Sequence, residues 1–189
     1  MNELADRHGF KKVDPQEAER LRDTHGHELL RTLGIPIWKL PRIMSEVRAL
    51  MAEHAHKLSA FPGIDEMLRQ LSSSGMTLAV VSSNSTENVQ RVLGPANVAL
   101  IKHFACGVSM FGKAAKLRGV LRTAKIPAAE AIYIGDELRD GEAARKAGIA
   151  FGAVGWGQCR LESMKFQGAD RVFHAVAEIA ATLLGTEKE

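Results

Sequence analysis

No apolar run in this 189-residue chain approaches the roughly 20 residues that a membrane-spanning helix needs. Met1-Asn2-Glu3-Leu4-Ala5-Asp6 has neither the basic nor the apolar segment of a signal peptide, so no membrane partner and a cytoplasmic location are expected. Cysteine is nearly missing. Cys106 lies in an apolar, strand-like run and Cys159 stands close to Gly157 and Arg160, which argues against a disulfide framework and for two free thiols. Aromatic residues make up only 5% of the chain, and its 25 basic and 22 acidic residues, net +3, are dispersed rather than gathered into a stripe. That pattern, without a zinc-finger or RNA-binding signature, argues against nucleic acid as a partner. What the chain does have is 46% hydrophobic residues, enough for one sizeable core with a small accessory domain.

Strand patterns are missing from the first third. Leu21, Leu29, Leu30 and Leu33, then Ile43, Val47, Leu50 and Met51, recur at three- and four-residue steps, punctuated by Gly34-Ile35-Pro36 and Leu40-Pro41. Residues 1–58 therefore read as an all-helical unit. His25-x-His27 and His54-x-His56 have the look of metal pairs, but residues two apart on a helix point in different directions, so surface histidines are the expectation. Trp38, Arg42, His54 and Trp156 are all candidates to face a cleft, and for the two tryptophans the plain alternative is packing.

Ser59-Ala60-Phe61-Pro62-Gly63 is a linker into a second architecture, residues 59–189. Ile64, Met67, Leu68 and Leu71 make one helix face, ended by Ser72-Ser73-Ser74-Gly75. Met76 to Val81 reads as a buried strand that stops at Ser82-Ser83-Asn84-Ser85, with Glu87 three residues after Asn84 as in a capping box. Phe104 to Met110 reads as the next strand, followed by Gly112-Lys113 and a helix carrying Leu117, Val120 and Leu121. A third unit runs from Ala131 to Ile134, stops at Gly135-Asp136, and continues into a helix with Ala143, Ala144 and Ala147 and a left-handed cap at Gly148. Ile149 to Val154 supplies another strand, and Phe173, Val176, Ala180 and Leu183 line one side of a last helix. Strands alternating with helices predict an α/β fold with a parallel sheet.

In such sheets ligands bind at the carboxyl ends of the strands. There the sequence puts Ser82 with Ser83 and Asn84, then Lys113, then Asp136 and Asp140. Each alone has a plain structural explanation, since Ser82 and Asp140 can cap helices, Asp136 can hold a turn, and most lysines are solvated. Together they are the parts of a phosphoryl site: hydroxyl and N–H groups for phosphate oxygens, a lysine to offset charge, carboxylates for a cation. Gly152-x-x-Gly155-x-Gly157 does not fit the dinucleotide spacing and follows the βαβ series rather than opening it.

The ordered set resembles the haloacid dehalogenase (HAD) superfamily, specifically phosphoglycolate-phosphatase-like enzymes with a small helical cap. Val80-Val81-Ser82-Ser83-Asn84 looks like the second family motif, Gly112-Lys113 the third, and Ile134-Gly135-Asp136-Glu137-Leu138-Arg139-Asp140 the fourth. Phe61-Pro62-Gly63 resembles the re-entry from cap to core. The resemblance implies a Rossmann-like core at 59–189, a specificity cap at 1–58, and hydrolysis of a small phosphate monoester through an aspartyl-phosphate with Mg²⁺. It also implies that Ser82, with Ser83 and Asn84, binds phosphate, that Lys113 neutralises charge, that Asp136 is the Mg²⁺ ligand, and that Asp140 sits close to the metal. Lys113 lacks the prolines that commonly follow the third-motif lysine, which leaves Lys116 as a second candidate.

One departure is larger. The family nucleophile belongs to an Asp-x-Asp pair at the end of a first, central strand, and no two aspartates here stand two residues apart. The expectation is therefore a truncated, inactive phosphatase, or alternatively a non-catalytic protein of this fold that binds phosphate or regulates. Without a central strand, 76–81 is expected to pair directly with 131–135, or a segment of another chain to fill that strand position by self-association.

Overall fold

Capping and apolar spacing agree through the first third, and in the computed structural model it is helical. The structure describes residues 2–54, 58–107, 112–166 and 168–186. Helix α1 (Asn2–His8) precedes α2 (Pro15–Leu21), where the Asp14 carboxylate accepts from the Glu17 N–H and Pro15 sits in the first turn. This is the position where its missing N–H costs nothing. After α3 (Gly26–Thr32) and a 3₁₀ turn at Ile37–Lys39 comes α4 (Leu40–Glu53). Leu30, Leu33, Ile35, Leu40 and Ile43 form a core of their own, with Phe10, Val13 and Leu21 packed against it. Trp38 departs from the packing alternative. It lies on the 3₁₀ turn and is 81% exposed, because Ile35 and Leu40, on either side of the turn, take the inward positions.

The remainder alternates as expected: α5 (Ile64–Ser73), β1 (Leu78–Val81), α6 (Thr86–Leu100), β2 (Ile101–Ala105), α7 (Lys113–Ala124), β3 (Ile132–Gly135), α8 (Leu138–Ala147), β4 (Ala150–Val154), α9 (Leu161–Phe166), β5 (Arg171–Phe173) and α10 (Val176–Leu184). Side chains alternate across β4, so Phe151 and Ala153 pack with α8 and α9 while Val154 packs with α5 and α10. Helices thus cover both faces. Phe173 is 1% exposed between α5 and α10, a burial that contributes about 1.5–3 kcal/mol.

Element boundaries differ from the sequence reading, and one helix is broken. The second strand is not Phe104–Met110. It starts at Ile101, which also caps the end of α6, so no polar residue separates helix from strand; 108–110 lie outside the described residues. Phe173 belongs to a short fifth strand rather than to the last helix. Helix α6 is broken at Gly94, whose φ of 75° leaves the helical region, and Pro95 has no N–H to continue the ladder.

The sheet also departs from direct closure. Strands β1 and β2 pair in parallel as one sheet, and β3, β4 and β5 pair in parallel as another. Thus 76–81 does not pair with 131–135. Their connection runs through side chains: Tyr133 on β3 donates its hydroxyl to the Val81 carbonyl at 3.2 Å, and Val81 and Tyr133 share an apolar cluster with Leu117 and Ala143. A tyrosine ring between the two backbones satisfies the carbonyl without the roughly 4.8 Å approach that a ladder needs.

Candidate active site

Gly135 ends β3 and makes the next turn possible. A Cβ there would collide with the Asp140 carboxylate, which folds back under the turn and accepts from the Asp136 and Glu137 N–H groups at 3.3 Å each. Glu137 is the N-cap of α8 and forms a capping box with Asp140. The capping explanation for Asp140 therefore holds, yet it is only half of the role. The other carboxylate oxygen is hydrogen-bonded to the Lys113 ammonium, a pair in which Lys113 is 8% and Asp140 2% exposed. A buried pair of this kind has to be complete, since losing either partner strands a charge.

Lys113 opens α7 and lies over the Tyr133 ring, 5.8 Å from its centroid, within cation–π range. Burial first, then the charges of Asp140 and Asp136, push the Tyr133 phenol above its ordinary value, so its hydroxyl stays protonated and donates to Val81. Lys116, one turn along, is exposed. The structure thus brings Lys113, Asp140, Asp136 and Tyr133 together beside the end of β1.

Ser82 follows Val81 directly. Its hydroxyl accepts from the Asn84 N–H at 3.1 Å, and its own N–H extends the β1–β2 ladder to Ala105. Ser85, not Asn84, caps α6, accepting from the Asn88 N–H at 3.2 Å. Asn84 is displaced from that role because its side-chain oxygen is taken by the Ser85 N–H and by Asn88 Nδ2.

Asp136 points the other way, toward the loop after β4. Its Oδ2 accepts from the Gln158 N–H at 2.8 Å and its carbonyl from the Cys159 N–H. Gly157 is required by that approach, since a Cβ would overlap the Asp136 side chain. No group of three or more His, Cys, Asp or Glu gathers as a cation site among the described residues. Asp140 is paired with Lys113, and Glu137 with Arg139. Among the described residues Asp136 remains as a carboxylate donor, and one or two carboxylates together with substrate phosphate oxygens are what commonly hold Mg²⁺ in a phosphoryl site. That donor set fits the Mg²⁺ that the sequence resemblance implies once a substrate's phosphate oxygens complete it.

The helical unit closes over this edge at two places. Arg22 donates to the Gln158 and Gly157 carbonyls at 2.7 and 3.0 Å, and Arg160 pairs with Asp23 and Glu19 at 3.0 Å each. On the other side Arg48 donates to the Ser83 carbonyl and Arg91 to Ala52. His25 is not simply a surface histidine: its Nδ1 reaches Glu142 on α8 at 2.7 Å. It lines a cavity of about 120 Å³ with His27, Lys113, Arg139 and Lys146. Tyr133, Arg48, Asn88 and His25 were not visible as site residues in the sequence, because each acts through a partner distant along the chain.

Parallel strands wrapped by helices, a helical first third packed over the strand ends, and a lysine–carboxylate pair at that edge define a doubly wound α/β protein. The chain belongs to the haloacid dehalogenase-like hydrolase family, whose description matches residues 1–154. It is 29% identical over 150 residues to the phosphoglycolate phosphatase of Synechococcus elongatus, covering 79% of this chain and 71% of that protein. To the phosphoglycolate phosphatase of Caulobacter vibrioides it is 32% identical over 135 residues, 68% of this chain and 56% of the relative. Among solved structures, a haloacid dehalogenase-like hydrolase of Streptococcus pneumoniae superposes with a TM-score of 0.74 at 21% identity, covering 95% of this chain and 86% of that one. CbbY of Rhodobacter sphaeroides, solved with xylulose-1,5-bisphosphate, superposes at 0.65 and 26% identity, covering 94% and 85%.

Proposed function

We propose that this chain, a phosphatase by family, binds the phosphate group of a small, phosphoglycolate-like monoester. The observation that carries this reading is the buried Lys113–Asp140 pair beside the end of β1. An ammonium has three N–H donors. Asp140 takes one and fixes the side chain, which leaves the others for phosphate oxygens, while Ser82, Ser83 and Asn84 supply hydroxyl and amide donors. The helical unit over the cleft selects the organic part of the substrate. Mg²⁺ is the proposed cation and Asp136 its proposed ligand, bound weakly because so few anionic donors accompany it.

Phosphoryl transfer through an aspartyl-phosphate needs a carboxylate that attacks phosphorus. Asp140 faces Lys113, Asp136 is held by Gln158, and no Asp-x-Asp pair occurs in the sequence, so these 189 residues bind the monoester without turning it over. The chain pairing with a second copy along β1 or β3 belongs to the same proposal, and sedimentation that gives only monomer at high concentration argues against it. The test of the chemistry is hydrolysis of an aryl phosphate with Mg²⁺ present: no turnover above background is expected. Turnover that disappears in Asp136→Ala would contradict the account, because it would place the reacting carboxylate within this chain.

A further inference from the structure

Asn88 is 3% exposed in the first turn of α6, four residues beyond Asn84, and both hydrogens of its side-chain amide are engaged. One goes to the Arg48 carbonyl on α4 and the other to Asn84 Oδ1, each at 3.0 Å. Asn84 Oδ1 also accepts from the Ser85 N–H at 2.9 Å, so both of its lone pairs are used. Turning the Asn84 amide over would set its NH₂ against two donors. The network therefore fixes which end of Asn84 faces this cluster and which faces away from it.

We propose that Asn88 is a positioning residue for the phosphate loop: it holds Asn84 with its NH₂ turned to the ligand, and it makes that orientation depend on the seating of the helical unit. The inference rests on the phosphate-binding reading of Ser82, Ser83 and Asn84 given above. Phosphate oxygens only accept hydrogen bonds, so an outward NH₂ attracts them and an outward Oδ1 repels them. Arg48 contributes twice, through its carbonyl to Asn88 and through Nη1 to the Ser83 carbonyl at 3.3 Å. One turn further along α6, Arg91 donates to the Ala52 carbonyl at 3.2 Å. If α4 lifts from α6, Asn88 loses its carbonyl partner, and Asn84 loses the donor that fixes it. The cleft's closure and the loop's donor pattern are then one event.

The isosteric change Asn88→Asp tests this, because a carboxylate has the same shape but cannot donate. Inorganic phosphate is titrated into the chain by calorimetry, and side-chain amide exchange of Asn84 is followed by NMR in ligand-free protein. Asn88→Asp should weaken phosphate about tenfold or more, the scale of one charge-assisted hydrogen bond reversed. Asn84→Ala should weaken it comparably, and the double variant should be no weaker than Asn84→Ala alone, since Asn88 acts through Asn84. Without ligand, the Asn84 NH₂ should exchange more slowly in Asn88→Asp, where it turns inward to donate. Asn88→Ala removes the donors without a buried charge and should give the same loss of affinity. Phosphate binding within twofold of wild type in both Asn88 variants, additive losses in the double variant, or unchanged Asn84 exchange would overturn the inference. Failure of the wild-type chain to bind phosphate would instead overturn the phosphate reading, with the exchange experiment still deciding whether Asn88 orients Asn84.

Discussion

The Tyr133 hydroxyl on β3 donates to the Val81 carbonyl on β1 at 3.2 Å, so a side chain joins two sheets that no backbone ladder connects among the described residues. The same ring lies beneath Lys113. One residue therefore holds the end of β1, the site lysine and the turn at Asp136 in register.

Tyr133→Phe keeps the ring and its contact with Lys113 but leaves the Val81 carbonyl without its donor. The expected cost is about 1–3 kcal/mol, the penalty for an unsatisfied, largely buried acceptor. Urea unfolding measures it, and an unchanged midpoint would show that water serves Val81 equally well.

Removing one member of the buried Lys113–Asp140 pair should cost more. Asp140→Ala leaves the ammonium unpaired and uncaps α8, and a loss of about 3–5 kcal/mol is expected. The double change Lys113→Met with Asp140→Ala should recover part of it, since no charge then remains buried. A double variant less stable than Asp140→Ala alone contradicts the pairing.

Acid should loosen the seating of the helical unit. Hydrogen bonds from Arg160, then Arg22, hold the Glu19 carboxyl below its ordinary value of 4.5. A group whose folded value is depressed contributes above its unfolded value and loses that contribution as pH falls through the folded one. The Glu19–Arg160 contact is therefore intact at neutral pH and weakens below pH 4.5. Carboxyl carbon shifts of Glu19 across that range, with and without Arg160→Ala, measure it. The variant should titrate at higher pH, and identical curves would mean that Arg160 does not act on Glu19.

The two tryptophans should behave differently. Trp38 is 81% exposed, so Trp38→Ala should change stability by no more than about 0.5 kcal/mol. Trp156 packs against the cluster of Val154, Phe173 and Val176, and its loss should cost about 1 kcal/mol or more. Equal effects in thermal unfolding would contradict this assignment.

Much of this was legible in the sequence, for identifiable reasons. Gly135-Asp136 stops a run of apolar residues, and Gly148 adopts φ of 73° at the end of α8, so glycine marks both boundaries of that unit. The helical first third was readable because its apolar residues recur at helical spacing and pack on one another. Strand β5 was not readable, since three residues carry too little alternation to stand out from the helix after it. The start of β2 was hidden because Ile101 is both the cap of α6 and the first strand residue. Most of the site's support was invisible for a different reason. Asn88 reaches back to Arg48 and Tyr133 to Val81, and neither pairing leaves a local pattern.

The proposed function places phosphate beside Lys113 at the end of β1. An orthophosphate titration followed by backbone amide shifts tests it residue by residue. Shifts are expected at Ser83, Asn84 and Ser85 and around Lys113, all lost in Lys113→Ala while Lys116→Ala leaves them unchanged. Shifts that lie elsewhere, or that persist without the Lys113 ammonium, would contradict it.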